Sequence, residues 1–433
     1  MALLGVGYAS GAGKTAGTLG QFDASCNGGR GIQLHPPDIS DLQNGYAVAL
    51  RGGDVLFGFS YMPPTYRNQA PRIILEAVRS NCTIDPKFGV NGVLHLKWPG
   101  DYLGNVDAIA QSRDGGALIF GGSNEHLIAT EIDSTGQPVR SFGRNGWLIR
   151  KLPDWSPEVA SSPYTASLLQ EPNGTILMGS DNGCSHGCTV PRVYAFSSAG
   201  QLRWTYAPNS TQTSRVLPMG SEVGQLIPLA SGTIVIVAPL TFAGCGSLEL
   251  AALNQRGRLE PAITSNLQRS VEKLRPNSYN GGTGYLDSAG GAGIFGYLQD
   301  PCDWVSGHSV FMANFLERTT PGGRLSHAPQ YMNAGRGLIA ADQFGLELSR
   351  GVLVVWHTNS TGGVVEIRGL EPNGTPVATF GRGGSASIRE CNQASYAGGC
   401  FFSSMPMFAA GPRGDFDVIV PEPIGPKLLE LTG

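Results

Sequence analysis

The sequence predicts an all-β radial repeat on three observations. A turn glycine recurs at a nearly fixed period, a short apolar strand follows each one, and an entry into an outer strand repeats. The glycines are Gly52, Gly115, Gly174, Gly232, Gly290, Gly351 and Gly414, spaced 58 to 63 residues apart. The apolar runs are Val55-Leu56-Phe57-Gly58, Leu118-Ile119-Phe120-Gly121, Ile176-Leu177-Met178-Gly179, Ile234-Val235-Ile236-Val237, Ile294-Phe295-Gly296, Val352-Leu353-Val354-Val355 and Val418-Ile419-Val420. A strand-rich period of about sixty residues belongs to architectures that set one small sheet per repeat around an axis. The fold class is therefore read as a seven-bladed β-propeller with four antiparallel strands per blade.

The second repeat shows the elements in order. Val106-Asp107-Ala108-Ile109-Ala110 reads as the inner strand. Arg113-Asp114-Gly115-Gly116 reads as a hairpin turn, where glycine takes positive φ at little cost. Ala117 to Gly121 form a buried second strand and Leu127 to Ile132 a third. Ser134-Thr135-Gly136-Gln137 turns the chain again. Its counterparts are Ser198-Ala199-Gly200-Gln201, Gln255-Arg256-Gly257-Arg258, Pro321-Gly322-Gly323-Arg324 and Pro372-Asn373-Gly374-Thr375. The outer strand is entered through Phe142-Gly143-Arg144-Asn145-Gly146, repeated as Phe88-Gly89-Val90-Asn91-Gly92 and Phe380-Gly381-Arg382-Gly383-Gly384.

A degenerate copy of that entry, Cys26-Asn27-Gly28-Gly29-Arg30-Gly31-Ile32-Gln33-Leu34, precedes any first strand. At the other end, Met405 to Leu431 supplies early strands with no outer strand after them. The amino-terminal strand is thus expected to complete the carboxy-terminal blade and close the ring, which removes exposed strand edges. The expected blades are 46–97, 103–150, 163–208, 221–265, 279–330, 340–390, and 401–433 closed by 21–35. Together they make a single domain over 1–433, with a flexible segment at 1–20.

These units resemble the bacterial delta-60 repeat propellers, which carry a turn glycine, an apolar strand ending in Gly and a Phe-Gly-x-x-Gly outer strand. The likeness spans essentially the whole chain and is strongest in the first, second and sixth repeats. The third to fifth lack the Phe-Gly pair, and Trp204 stands near its place in the third. The resemblance implies a propeller fold and an extracellular or cell-surface compartment, and it implies no catalytic residues.

Composition agrees with one domain. The chain is long, at 433 residues, but blades that pack only on their neighbours escape the size limit of a single core. The 62 glycines and a charged fraction of 15% suit short strands and many turns. A net charge of −3 without a basic cluster argues against a nucleic-acid partner. No apolar stretch reaches the roughly 18 residues of a membrane span. Met1 to Val6 lack basic residues and are too short for a secretion signal, so either a signal has been removed or export is absent.

The eight cysteines favour the first alternative. Cys184 and Cys188 share one loop, and Cys391 and Cys400 another. Cys26 and Cys82 precede outer strands of adjacent blades, and Cys245 and Cys302 lie in equivalent loops of the fourth and fifth. Four disulfides are expected. The rival, a zinc site at Cys184-Ser185-His186-Gly187-Cys188, lacks two further ligands nearby.

Function is expected on the rim carrying the second-to-third and fourth-to-first connections, which are long and rich in aromatic and polar residues; the opposite turns read as short and nearly featureless. Trp98, Tyr102, Trp155, Asp303, Trp304, Trp356 and His357 are the candidate ligand-binding residues for a polysaccharide or surface glycan. Aromatic rings stack on the apolar faces of sugars, although single rings also cap blade packing. Asp41, Asp101, Glu222 and Asp342 precede successive first strands. They would suit Ca²⁺ at the channel mouth or strand-start caps, and caps are favoured. The alternative of a polysaccharide lyase or hydrolase would use Tyr279 or His308 as base with Arg336 neutralising a carboxylate, or paired carboxylates among Asp300, Asp303 and Asp342. A protein-interaction scaffold is the third reading. Gly11-Ala12-Gly13-Lys14-Thr15 is not a phosphate loop, because the required earlier glycine is Tyr8 and no helix follows. No metal or cofactor motif is found. The expectation is a secreted, periplasmic or cell-surface monomer.

Overall fold

The computed structural model describes residues 26, 32–34, 42–50, 54–61, 72–100, 105–123, 126–152, 164–183, 189–208, 217, 223–240, 247–273, 279–286, 290–299, 311–324, 330–332, 344–347, 353–359, 364–371, 375–382, 384–389, 407–410, 416–420 and 427–431. These residues are almost entirely strand, arranged in seven antiparallel sheets. The chain opens with β1 (Ile32–Gln33). The first sheet is β2 (Leu42–Ala49), β3 (Val55–Tyr61), β4 (Arg72–Val78) and β5 (Val93–Leu96). The second is β6 (Asn105–Gln111), β7 (Ala117–Ser123), β8 (His126–Ile132) and β9 (Trp147–Lys151). The third is β10 (Tyr164–Gln170), β11 (Ile176–Gly183), β12 (Thr189–Phe196) and β13 (Leu202–Tyr206). The fourth is β14 (Gln225–Pro228), β15 (Ile234–Leu240) and β16 (Ser247–Leu253), followed by helix α1 (Pro261–Lys273). The fifth is β17 (Tyr279–Leu286), β18 (Ala292–Gln299), β19 (Phe311–Arg318) and β20 (Gln330–Met332). The sixth is β21 (Phe344–Glu347), β22 (Leu353–Asn359), β23 (Val364–Leu370) and β24 (Ser385–Arg389). The last is β25 (Met407–Ala410), β26 (Phe416–Val420) and β27 (Lys427–Leu431), and β1 joins it as the fourth strand. Ile32 lies opposite Leu428 and Gln33 opposite Lys427.

Neighbouring sheets rest on each other through their first strands: β2 packs on β25 and β6, β6 on β10, β10 on β14, β14 on β17, and β17 on β21. The core is accordingly a series of layers between neighbouring sheets. One layer joins Leu118, Phe120, Leu127 and Phe142 of the second repeat to Ile176, Met178, Tyr194 and Phe196 of the third. In it, Phe120 meets Phe196 edge-on with centroids 6.1 Å apart. Close approach explains the glycine at the fourth position of the second strand, after its apolar run. A side chain at Gly58 would overlap Ile109 of the next sheet, and one at Gly179 would overlap Val223.

The fourth sheet departs from the expected four strands. Pro261 occupies the first helical position, where its missing N–H costs nothing, and Ile263, Leu267 and Val271 follow at four-residue spacing. Leu267 is buried in the core of this sheet, with Ile263 packed beside it. The Thr264 hydroxyl accepts the outward N–H of Ala252 at 3.0 Å, and the Glu260 N–H donates to the Ala252 carbonyl at 2.8 Å. Helix α1 therefore satisfies and covers the β16 edge that an outer strand would otherwise pair.

The Phe-Gly entry acts as a latch between sheets. Phe88 and Phe142 are fully buried. A side chain at Gly136 of the next sheet's turn would lie 3.2 Å from Phe88, and one at Gly200 would lie 3.4 Å from Phe142. Beside each ring a backbone bond crosses the junction: Gly89 N–H to Thr135 O and Gly143 N–H to Ala199 O, both 2.9 Å. Gly143 has φ +57° and a Cβ there would overlap the Trp147 carbonyl, so no other residue fits. In the third repeat Trp204 covers Gly257, and its indole N–H donates to Gln255 O at 2.9 Å. In the fourth, Ile263 of α1 lies against Gly323.

Candidate functional site

Antiparallel order sends the first-to-second and third-to-fourth connections to one edge of each sheet and the remaining connections to the other. All seven first-to-second connections are five residues long: 50–54, 112–116, 171–175, 229–233, 287–291, 348–352 and 411–415. The third-to-fourth connections 79–92, 133–146 and 371–384 are longer than expected, at fourteen residues each, and the first two hold the Phe88 and Phe142 latches just described. The opposite rim carries connections from 124–125 at the shortest to 207–224 at the longest, with 62–71, 152–163, 300–310, 333–343 and 390–406 between.

That long-connection rim has a feature the sequence did not reveal. Four first strands are bulged near the end that faces it, between Leu42 and Asn44, Val106 and Ala108, Thr165 and Ser167, and Tyr279 and Gly282. Bulges re-aim side chains and concentrate near functional sites. Hydroxyls from the preceding sheet reach first strands here: Ser60 Oγ accepts the Val106 N–H and Ser167 Oγ the Leu226 N–H, both at 3.0 Å.

Tyr279 opens β17 opposite Leu298, at one of these bulges. Trp356 and His357 lie in β22, with Trp356 opposite Phe344 and Ile367, and His357 opposite Glu366. Trp98 needs correction as a ligand residue. It is 4% exposed, belongs to the core of the first two sheets, and meets Trp147 edge-on at 5.8 Å. A ring enclosed in this way has no face left for a sugar. Tyr102, Trp155, Asp303, Trp304, His308 and Arg336 lie outside the described residues, as do Asp41, Asp101, Glu222, Asp300 and Asp342. Residues 1–20 and Cys184, Cys188, Cys245, Cys302, Cys391 and Cys400 are also outside. Cys26 and Cys82 form the expected disulfide. Among the described residues, no group of three or more His, Cys, Asp or Glu is placed to hold a metal. Tyr206, which the sequence reading did not single out, ends β13; burial pushes its phenol up to about 12, so it stays protonated at ordinary pH.

The short-turn rim is less featureless than its sequence suggests. Arg79 Nε donates to Asp85 Oδ1 at 3.0 Å. Burial, and then the Asp85 charge, raise the Asp54 carboxyl. Burial likewise raises Glu131 and Glu171, against hydrogen bonds from Ser112 and Asn173 respectively. The visible signal for all three was a carboxylate flanking a turn. A carboxyl raised in the folded state binds its proton more tightly there than in the unfolded chain. Its stabilisation is present below the unfolded glutamate value and is lost as pH rises through the folded one. Glu131→Gln should therefore gain in melting temperature relative to the parent as pH is raised from 4 to 8. A constant difference across that range would show that Glu131 ionises normally.

The sequence matches no protein-family model. It also matches no curated protein. Among solved structures, the chain is similar to an oligogalacturonate lyase in complex with manganese, at 11% identity over 92% of each chain and a TM-score of 0.49. A polysaccharide lyase of family PL25, an ulvan lyase bound to a glucuronate–sulfated rhamnose fragment, is 10% identical over 93% of this chain and 96% of its own, with a TM-score of 0.49. A protein of unknown function from Dyadobacter fermentans is 12% identical over 93% and 96%, with a TM-score of 0.45. At such identities the likeness says nothing about activity.

Proposed function

We propose that the seven sheets form a closed propeller, sealed by β1 in the last sheet, and that its long-connection rim recognises an extracellular polysaccharide or surface glycan. The observation that carries this reading is the division of labour between the rims. One rim commits its turns to latches between sheets, while the other gathers aromatic-rich connections and four bulged strand starts. Trp155, Trp304 and Trp356 supply rings for sugar faces, and Tyr102, Asp303 and His357 supply partners for hydroxyls. The Phe-Gly latches support kinship with the delta-60 repeat propellers. No helix among the described residues is long and apolar enough to cross a membrane. The Cys26–Cys82 disulfide fits a protein working in an oxidising compartment, secreted or at the cell surface.

A lyase at the same rim is the second reading, favoured by the bulge that sets Tyr279 at a strand start; His308 and Arg336 would complete its set. One experiment separates the two. The purified protein is incubated with neutral and uronate polysaccharides, and polymer size and protein co-elution are followed on a sizing column. Co-elution with intact polymer is expected. Shortened polymer would establish the enzyme instead, and no change with any polymer would remove the glycan reading.

A further inference from the structure

We propose that the Cys26–Cys82 disulfide is a reducible latch at the ring's seam, standing where three other junctions use an aromatic residue packed on a turn glycine. This rests on the closed-ring reading above and adds how the closure is held. Cys82 occupies the glycine position of the third-to-fourth turn. Its N–H donates to the carbonyl three residues back, Arg79 O at 2.8 Å, as do Gly136 to Asp133, Gly200 to Ser197, Gly257 to Asn254 and Gly323 to Thr320. All five have positive φ: +56° for Cys82 against +84°, +75°, +71° and +74° for the glycines. A non-glycine residue is uncommon in that region. The Cβ direction explains its presence, because a Cβ at Gly136 or Gly200 points at the latch phenylalanine of the preceding sheet.

The residue facing Cys82 is Cys26, in the segment that leads into β1. Phe88 and Phe142 stand five residues before their outer strands, at Val93 and Trp147, and Cys26 stands six before Ile32. At this junction the ring-on-glycine contact is thus replaced by a sulfur–sulfur bond. It joins the strand that completes the last sheet to the first sheet. Among the described residues, β1 contributes Ile32 and Gln33 as the fourth strand of the last sheet. Both sulfurs belong to buried residues, 1% and 5% exposed, so a thiolate reaches the bond only when the seam opens. An external dithiol then breaks the Sγ–Sγ bond. It gives up two electrons and two protons, leaves two cysteine thiols, and becomes a disulfide itself.

Trypsin reads the seam directly, because Arg30 lies between Cys26 and β1. The chain has six other cysteines, so a Cys26→Ser/Cys82→Ser variant without reductant isolates this bond. Cleavage after Arg30 is expected to be about tenfold or more faster in that variant, with backbone hydrogen exchange rising in Lys427–Leu431 and unchanged in β6 to β13. The rebuilt latch Cys26→Phe/Cys82→Gly should return cleavage to the slow rate and be indifferent to dithiol. Unchanged cleavage in the serine variant, or a phenylalanine–glycine variant as labile as it, would overturn the proposal. Rapid exchange in β27 of the oxidised parent would instead refute closure itself, whatever the state of the cysteines.

Discussion

Truncating Phe142 to alanine should lower the unfolding free energy by about 3–5 kcal/mol, the usual range for a buried phenylalanine. The ring is fully buried, lies in the core layer between the second and third sheets, and fills the space above Gly200. Its loss also leaves the Gly143 N–H to Ala199 O bond without the packing that excludes water from it. Urea unfolding followed by tryptophan fluorescence reads the effect. Arg144→Ala, at an exposed position two residues away, is the control and should stay within about 0.5 kcal/mol. A Phe142→Ala cost below about 1 kcal/mol would mean that these rings do not hold the junctions.

Leu267→Ala carries the second large expectation, a loss of about 2–5 kcal/mol. Leu267 is the buried anchor of α1 in the fourth sheet's core, and α1 is what covers the β16 edge. Loosening the helix exposes backbone donors and acceptors that invite pairing with another chain, so this variant should also aggregate on warming. Light scattering during a thermal ramp detects that. A variant that is destabilised but stays clear would show that the edge is protected by something besides α1.

The difference between these two sites explains what the sequence discloses. The second-repeat strands, the turn glycines and the Phe-Gly entries obey local rules: positive φ at Gly115, Gly174, Gly232 and Gly290, and a buried ring after each long third-to-fourth turn in the first, second and sixth repeats. A period makes such rules visible. Helix α1 broke the period without a glycine or a phenylalanine to mark it; only Pro261 and the spacing of Ile263 and Leu267 announced it. The indole N–H of Trp204 replaces a backbone donor, which depends on where Gln255 lies in the next sheet and so cannot be read locally. Trp98 misled because a connection residue was taken as rim, although its ring folds inward onto Trp147. Bulges left no mark, since they arise from the fit between adjacent first strands. For the candidate rim, composition and connection length were legible. Which side chains converge was not, because long connections are arranged by contacts distant in sequence.

The division between rims is tested most directly by two single variants on whichever polysaccharide co-elutes with the protein. Trp304→Ala alters the long-connection rim, and Arg144→Ala alters the latch rim. Both are compared with the parent on the same sizing column, after melting curves confirm that each is folded. The expected result is loss of co-elution for Trp304→Ala and full retention for Arg144→Ala. Retained binding in the first with loss in the second would place the ligand on the latch rim and contradict the assignment.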